Sequence, residues 1–316
     1  MPIVWMCVCA IAGLLVALQT TQAVAQNARS FVSGQGSDSN PCTRAAPCRS
    51  FGTAIGATNA GGEVVVLDSA GYGPFTIGKA ISIVNPGGVE ASITAPALSN
   101  YGIDVQAGTN DTVALRGLTL EAAGGGVTAA GTGIAFHSGL RLEITDCVIH
   151  NFTEGIALYG EGESAISSVY ISNTIVAGSS VYGILVDAFK PMIVRLSHVA
   201  SRNNDIGVVI SGSSLNNNEV MISDSHIDNN VTAGIRSDNG AIVLRNTTIN
   251  QTPTGVDVVG YSIFWLSQVT EAAVGGFPNN GGVVFHNDGG TKHVYSDGTN
   301  RLAGVIGGSL EVWFVQ

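Results

Sequence analysis

The sequence predicts an all-β solenoid, a parallel β-helix, on three observations. The first is a recurring anchor, a short apolar strand ending in Leu or Ile before a polar corner. It appears as Ile144-Thr145-Asp146, Ile171-Ser172-Asn173, Leu196-Ser197-His198, Ile222-Ser223-Asp224 and Leu244-Arg245-Asn246. The second is its answer, a glycine followed by a β-branched residue: Gly155-Ile156, Gly183-Ile184, Gly207-Val208, Gly234-Ile235 and Gly255-Val256. The third is spacing. Anchor to glycine is 11, 12, 11, 12 and 11 residues, whereas glycine to the next anchor ranges from 10 to 16.

One arm is therefore fixed and the other absorbs insertions. A period of about 25 with short strands in each repeat marks coils that bury their apolar faces only by stacking. A leucine-rich horseshoe would need Leu at several fixed positions, and helical arrays would need segments of 3.6-residue period. Neither is present. Period-two alternation assigns the faces: Val220, Ile222, Ser225, Ile227 and Ile235 inward, Met221, Ser223, His226 and Arg236 outward.

In chain order, Ile3 to Leu18 is an unbroken apolar run, followed by Ala23-Val24-Ala25, a small-x-small cleavage signature. No Lys or Arg precedes it. The pattern predicts a signal peptide over 1–25, cut between Ala25 and Gln26; the run is shorter than the ~20 residues of a membrane span. Export without stable membrane insertion follows, and an oxidising compartment permits disulfides. Cys42 and Cys48 flank a turn between Pro41 and Pro47 and are expected to pair, while Cys147 takes an inward slot as a small buried hydrophobe.

Residues 26–62 read as a lead-in segment and cap. The polar stretch 26–40 is expected to be exposed, and Ser50 to cap a short helix over 51–60 with Phe51, Ala54 and Ile55 at helical spacing. That helix would cover the first coil, whose edge otherwise presents unpaired backbone groups. The β-helix domain then occupies 63–316. Strands are expected at 63–67, 75–77, 80–84, 102–103 and 113–115, with a surface loop through Gly124-Gly125-Gly126. Further strands follow at 264–266, 282–283, 294–295 and 310–315. About ten coils result, a stack on the order of 48 Å at ~4.8 Å per strand.

Composition narrows the partners. The 316 residues carry a formal charge of −10, and none of the first 25 is charged. An acidic surface argues against nucleic acid and anionic membranes, and leaves neutral or basic saccharides open.

With these residues in place, the chain resembles the right-handed parallel β-helix proteins of the pectin-lyase-like superfamily, and 29–85 resembles exported bacterial members. The resemblance covers nearly all of the chain after the leader. It implies fold more than chemistry, because members include lyases, hydrolases, methylesterases, epimerases and proteins without catalysis. The galacturonase pattern is absent: Asn173-Thr174 runs into Ile175, no two aspartates adjoin, and no histidine sits between glycines. A calcium-dependent lyase would need a cluster of outward aspartates across coils as oxygen ligands. Gly255-Val256-Asp257-Val258-Val259-Gly260 is similar to a methylesterase segment, yet glycine plus an apolar residue is what every coil has there. Asp224, His226 and Asp228 lie close in sequence, but their assigned columns diverge.

Asp146, Asn173, Asp224 and Asn246 fill one corner, and Asn151, Asn203, Asn229 and Gln251 another, as structural ladders. The outward column one before the anchor is richer: Glu143, Tyr170, Arg195, Met221, Val243 and Trp265. Aromatic rings and a guanidinium on a flat face suit stacking on sugars and bonding to hydroxyls. Glu143, Tyr170, Arg195 and Trp265 are thus the candidate polysaccharide-binding residues. The loop carrying Glu161 and Glu163 is the second candidate, since paired carboxylates serve acid/base work. No catalytic residue, metal or cofactor is assigned. The sequence favours a non-catalytic structural or polysaccharide-binding protein; an enzyme with a divergent site and a membrane-tethered adhesin stay as alternatives.

Overall fold

A computed structural model describes residues 27–96, 100–123, 131–161, 166–211, 218–272, 283–287, 293–296, 299–303, 305–306 and 311–314. Residues 1–25, expected to be a signal peptide, the expected loop at 124–126 and Glu163 lie outside the described residues. Within them, no helix is long and apolar enough to cross a membrane.

Each coil contributes strands to three faces. In one coil these are Arg141–Thr145 on the anchor face, Val148–His150 on a short face and Glu154–Leu158 on the glycine face. All three stack in parallel. Leu142 and Ile144 pair with Val169 and Ile171, which pair with Val194 and Leu196, then Val220 and Ile222, then Ile242 and Leu244. Every one of these ten residues is essentially fully buried. The alternation that assigned the faces is therefore the alternation that fills the interior, each large side chain contributing about 1.5–3 kcal/mol. The short face forms a ten-stranded ladder of its own.

The corners hold their shape through the left-handed backbone conformation, which Asn and Asp tolerate best among residues with a side chain. Asp146, Asn173, His198, Asp224 and Asn246 sit at φ 56°, 48°, 55°, 51° and 44°. Asn151, Asn203, Asn229 and Gln251 do the same at the next corner, where Gly178 takes the slot once. Side chains link them along the stack: Asn173 Nδ2 donates to Asp146 Oδ1 at 3.3 Å, Asn246 Nδ2 to Asp224 Oδ1 at 2.7 Å, and Asn229 Nδ2 to Asn203 Oδ1.

The glycines that answer each anchor do something other than turn corners. They lie within strands, and a Cβ on Gly155, Gly183, Gly207 or Gly234 would stand 2.6, 2.5, 2.6 or 2.8 Å from the carbonyl oxygen of the next coil's glycine. Close approach of stacked backbones, not φ, demands glycine there. Beside this column runs a buried amide ladder. Asn204 Oδ1 accepts from Ser179 N at 2.9 Å, Asn230 Oδ1 accepts from Asn204 N at 3.1 Å, and Asn204 Nδ2 donates to Asn230 Oδ1 at 3.2 Å.

At the N-terminus, the helix spans Phe51–Ala57, and the Ser50 side chain accepts from Thr53 N. Phe51, Ala54 and Ile55 are buried, with the Phe51 ring 4.6 Å from that of Phe75. The stretch expected to be an exposed lead-in instead forms the strand Asn27–Val32, parallel to Thr58–Val66. Its Ser30 and Val32 alternate inward, a pattern too short and polar to stand out in sequence. Cys42 and Cys48 form the expected disulfide and pin this strand through the Val32–Cys48 bridge. Cys147 is free and buried, and burial pushes its thiol up to about 11, so it stays protonated and inert.

The junction between the glycine face and the following anchor face differs along the stack. Ala233–Arg245 and Thr254–Ser267 run through it as single strands. Earlier coils break there: Thr132–Ser138 ends before Arg141–Thr145, and Glu154–Leu158 ends before Ser167–Ser172.

Candidate functional site

The outward column exists in register. Glu143 pairs with Tyr170, Tyr170 with Arg195, Arg195 with Met221, Met221 with Val243, Val243 with Trp265, and Trp265 with Tyr295. Its members also contact each other. The Arg141 guanidinium lies 5.0 Å from the Tyr170 ring centroid and 3.3 Å from Glu143 Oε1. Arg195 reaches Glu219 Oε1 at 3.3 Å and Met221 Sδ at 3.6 Å. Trp265 is 40 % exposed and stacks on Tyr295 with centroids 5.7 Å apart and planes 14° from parallel. The column is thus a strip along the coil axis with charges and a ring from Glu143 to Arg195, the apolar Met221 and Val243, and then the exposed Trp265.

A second constellation lies on the glycine face, at the broken junction. Thr132–Ser138 pairs with Tyr101–Gln106 so that Phe136 opposes Val105 and Ser138 opposes Gln106, which leaves His137 as one extra residue. Such a bulge re-aims a side chain. His137 Nε2 faces Asp104 Oδ1 at 3.6 Å, and Nδ1 faces Glu161 Oε2 at 3.2 Å. The first separation is too long for a hydrogen bond, and neither Asp104 Oδ1 nor His137 Nε2 has a hydrogen-bond partner although both atoms are buried. Gln106 Nε2 donates to the other Asp104 oxygen at 2.7 Å.

Rings enclose the imidazole. Tyr159 stacks on it at 5.1 Å and Tyr101 meets it edge-on at 5.3 Å. Tyr159 Oη donates to Glu154 Oε2 at 3.0 Å, and Thr132 Oγ1 donates to the same oxygen at 3.1 Å. Burial first, then the charge of Glu154, pushes the Tyr159 phenol well above its ordinary range; burial, then Asp104, Glu161 and Glu154, raises that of Tyr101. An open cleft of about 430 Å³ is lined by Tyr101, Gln106, His137, Ser138 and Glu161.

Of the residues singled out in sequence, Glu143, Tyr170, Arg195 and Trp265 share one face, and Glu161 belongs to the cleft on the other. Asp224, His226 and Asp228 make no common site: Asp224 is held low by the Asn246 amide, and burial raises Asp228. Among the described residues, no group of three His, Cys, Asp or Glu is placed to hold a metal ion. Asp257 lies 3.9 Å from Arg236. Sequence reading missed Asp104 and His137, because the arm between their coils has irregular length and the bulge has no signature of its own.

These features define a class, the parallel β-helix with an outward polar and aromatic face. Residues 91–235 match the family model described as "Right handed beta helix region". Among solved structures, the chain is similar to pectate lyase Pel9A at 14% identity, covering 90% of this chain and 79% of that one, with a TM-score of 0.56. It is also similar to the A-module of the Azotobacter vinelandii mannuronan C-5 epimerase AlgE4, at 11% identity over 91% and 87% of the two chains, TM-score 0.46. No curated protein matches the sequence. The chain folds as a parallel β-helix, right-handed over the residues that the family model matches, and shares that fold with pectate lyase Pel9A.

Proposed function

We propose that this chain is an exported, saccharide-binding β-helix whose anchor face carries the binding strip. The leader at 1–25 would direct it out of the cytoplasm, and 63–316 would form the binding domain. The observation that carries this reading is the unbroken register from Glu143 through Tyr170 and Arg195 to Trp265 and Tyr295. Stacked strands place these side chains about 4.8 Å apart, so a sugar chain lying along the axis would meet charges and a ring from Glu143 to Arg195, cross the apolar Met221 and Val243, and meet rings again at Trp265 and Tyr295. That the fold is shared with a pectate lyase fits a polysaccharide ligand. A glycan array with the purified protein, repeated with Trp265→Ala, tests it. Binding lost or cut about tenfold in the variant supports the strip, and equal binding refutes it.

A second reading, an enzyme acting on polysaccharide, is favoured by one observation: His137 stands between two carboxylates beside an open cleft. General acid/base groups are arranged in this way. Release of reducing ends or unsaturated products from a polysaccharide panel, abolished by His137→Gln, would establish it. Absence of turnover across the panel would leave the binding role.

A further inference from the structure

Beside the strip from Glu143 to Trp265 runs a second outward column on the anchor face, two residues nearer the corner. Thr145, Ser172, Ser197 and Ser223 stack there as hydroxyls, and Ser267 resumes the series. Arg245 interrupts it between Ser223 and Ser267, and Arg116 stands in the coil ahead of Thr145.

The two arginines differ in what the next coil offers them. Arg116 opposes Thr145, and the corner residue that follows, Asp146, takes its guanidinium at 3.1 Å. Arg245 opposes Ser267 in the same way, but the corner residue that follows is Gln268, which carries no charge. The neighbouring guanidiniums of this face are matched as well, Arg141 by Glu143 and Arg195 by Glu219. Arg245 is exposed, and among the described residues no carboxylate forms an ion pair with it. Asp224, in the coil before, is held low chiefly by the Asn246 amide and feels the Arg245 charge only weakly.

The unmatched cation adjoins open apolar surface. Trp265 lies diagonally across from Arg245 in the next coil, a separation that a long side chain spans. On the far side of Trp265, Ile263 is 37 % exposed, so with Trp265 at 40 % one strand shows an apolar platform that Arg245 flanks from the hydroxyl column. A guanidinium pairs its donors with the oxygens of a carboxylate or sulfate, while an adjacent ring takes the C–H face of a sugar.

We infer that Arg245 forms an anion subsite beside Trp265, which selects a saccharide bearing an isolated carboxylate or sulfate over the same saccharide without charge. This rests on the anchor face being the binding strip. A chain with a carboxylate on every sugar gains little more, because Glu143 and Glu219 hold the neighbouring cations and the protein as a whole carries a formal charge of −10.

A glycan array printed with matched sets and probed with the purified full protein tests the inference. Each set holds one oligosaccharide in four forms: neutral, with a single carboxylate, with a single sulfate, and with a carboxylate on every sugar. Expected is binding of a singly charged form about tenfold above the neutral one, with the gain shrinking as salt is added. The arm that shows the gain names the anion. Arg245→Gln, at an exposed position, should bring the charged forms down to the neutral level and leave neutral binding as it was, whereas Trp265→Ala should weaken both. Equal binding of neutral and singly charged forms, or an unchanged preference in Arg245→Gln, overturns the subsite and leaves the strip standing. Strongest binding of the fully charged form overturns the preference for an isolated anion. Failure of every set to bind overturns strip and subsite together.

Discussion

The coils around His137 and those around Trp265 share an interior and differ at one place, the junction of two faces. In the first, the chain breaks between Thr132–Ser138 and Arg141–Thr145, and a bulge and a loop bring His137 and Glu161 together over Asp104. In the second, Ala233–Arg245 and Thr254–Ser267 pass straight through, leaving a flat face on which Trp265 stands exposed beside Tyr295. A solenoid tolerates both because each coil answers only to its neighbours. Function on such a frame resides in what interrupts the repeat, or in what the repeat displays unbroken.

If the interiors are truly alike, damage to the shared glycine column should be equally severe in both regions. Gly183→Val drives a side chain into the Gly207 carbonyl oxygen and Asn204, and Gly234→Val does so into the Gly255 oxygen and Ile249. Each should cost about 3 kcal/mol or more in denaturant unfolding. A mild loss at one of them would break the equivalence.

The buried amides separate the regions by a smaller margin. Asn204→Ala strips Ser179 N of its acceptor and removes one donor from Asn230 Oδ1, for about 2 kcal/mol, whereas the column position ahead of Thr254–Ser267 is Thr252 and Thr252→Ala should cost less than about 1 kcal/mol. Thermal melts of the two variants give the comparison directly.

On the outside, the expectation reverses from stability to ligand. Trp265→Ala should change stability by less than about 1 kcal/mol while reducing glycan binding about tenfold. Tyr170→Ala, whose ring already faces Arg141, should lose less. Isothermal titration on any array hit would rank them.

The smallest effect concerns pH and lies outside both regions, at the first coil. Burial acts to raise the Asp68 carboxyl, but hydrogen bonds from Ser33, Gly34 N and Tyr72 outweigh it and hold it below the ordinary carboxylate range. A depressed folded-state value means the stabilisation is present in full above the unfolded pKa and is lost as pH falls through the folded one. Asp68→Asn should therefore flatten the acid limb of stability against pH, leaving neutral pH the less stable by comparison with wild type. An unchanged acid limb would remove Asp68 from the account.

Much of this was legible in sequence for a physical reason: an interior shared by every coil is written once per coil. Leu142, Ile144 and their successors, the corner residues at Asp146 and Asn151, and the column from Glu143 to Trp265 all repeat. The cap was readable from Ser50 and the helical spacing of Phe51, Ala54 and Ile55. The strand Asn27–Val32 was not, because its partner lies across an intervening disulfide loop and helix. The role of the stacked glycines was not legible, since spacing alone cannot distinguish a φ requirement from a backbone too near for a Cβ.

By itself, then, the sequence determined the periodic part: a parallel stack, its inward and outward columns, the Cys42–Cys48 pair and the buried fate of Cys147. Only the tertiary structure decided the aperiodic part. Asp104, His137 and Glu161 come from three coils joined by arms of unequal length, so no spacing in the chain announces that they meet. Repetition encodes itself locally, whereas a site assembled at an interruption depends on register between coils, and register is settled only when the coils are stacked.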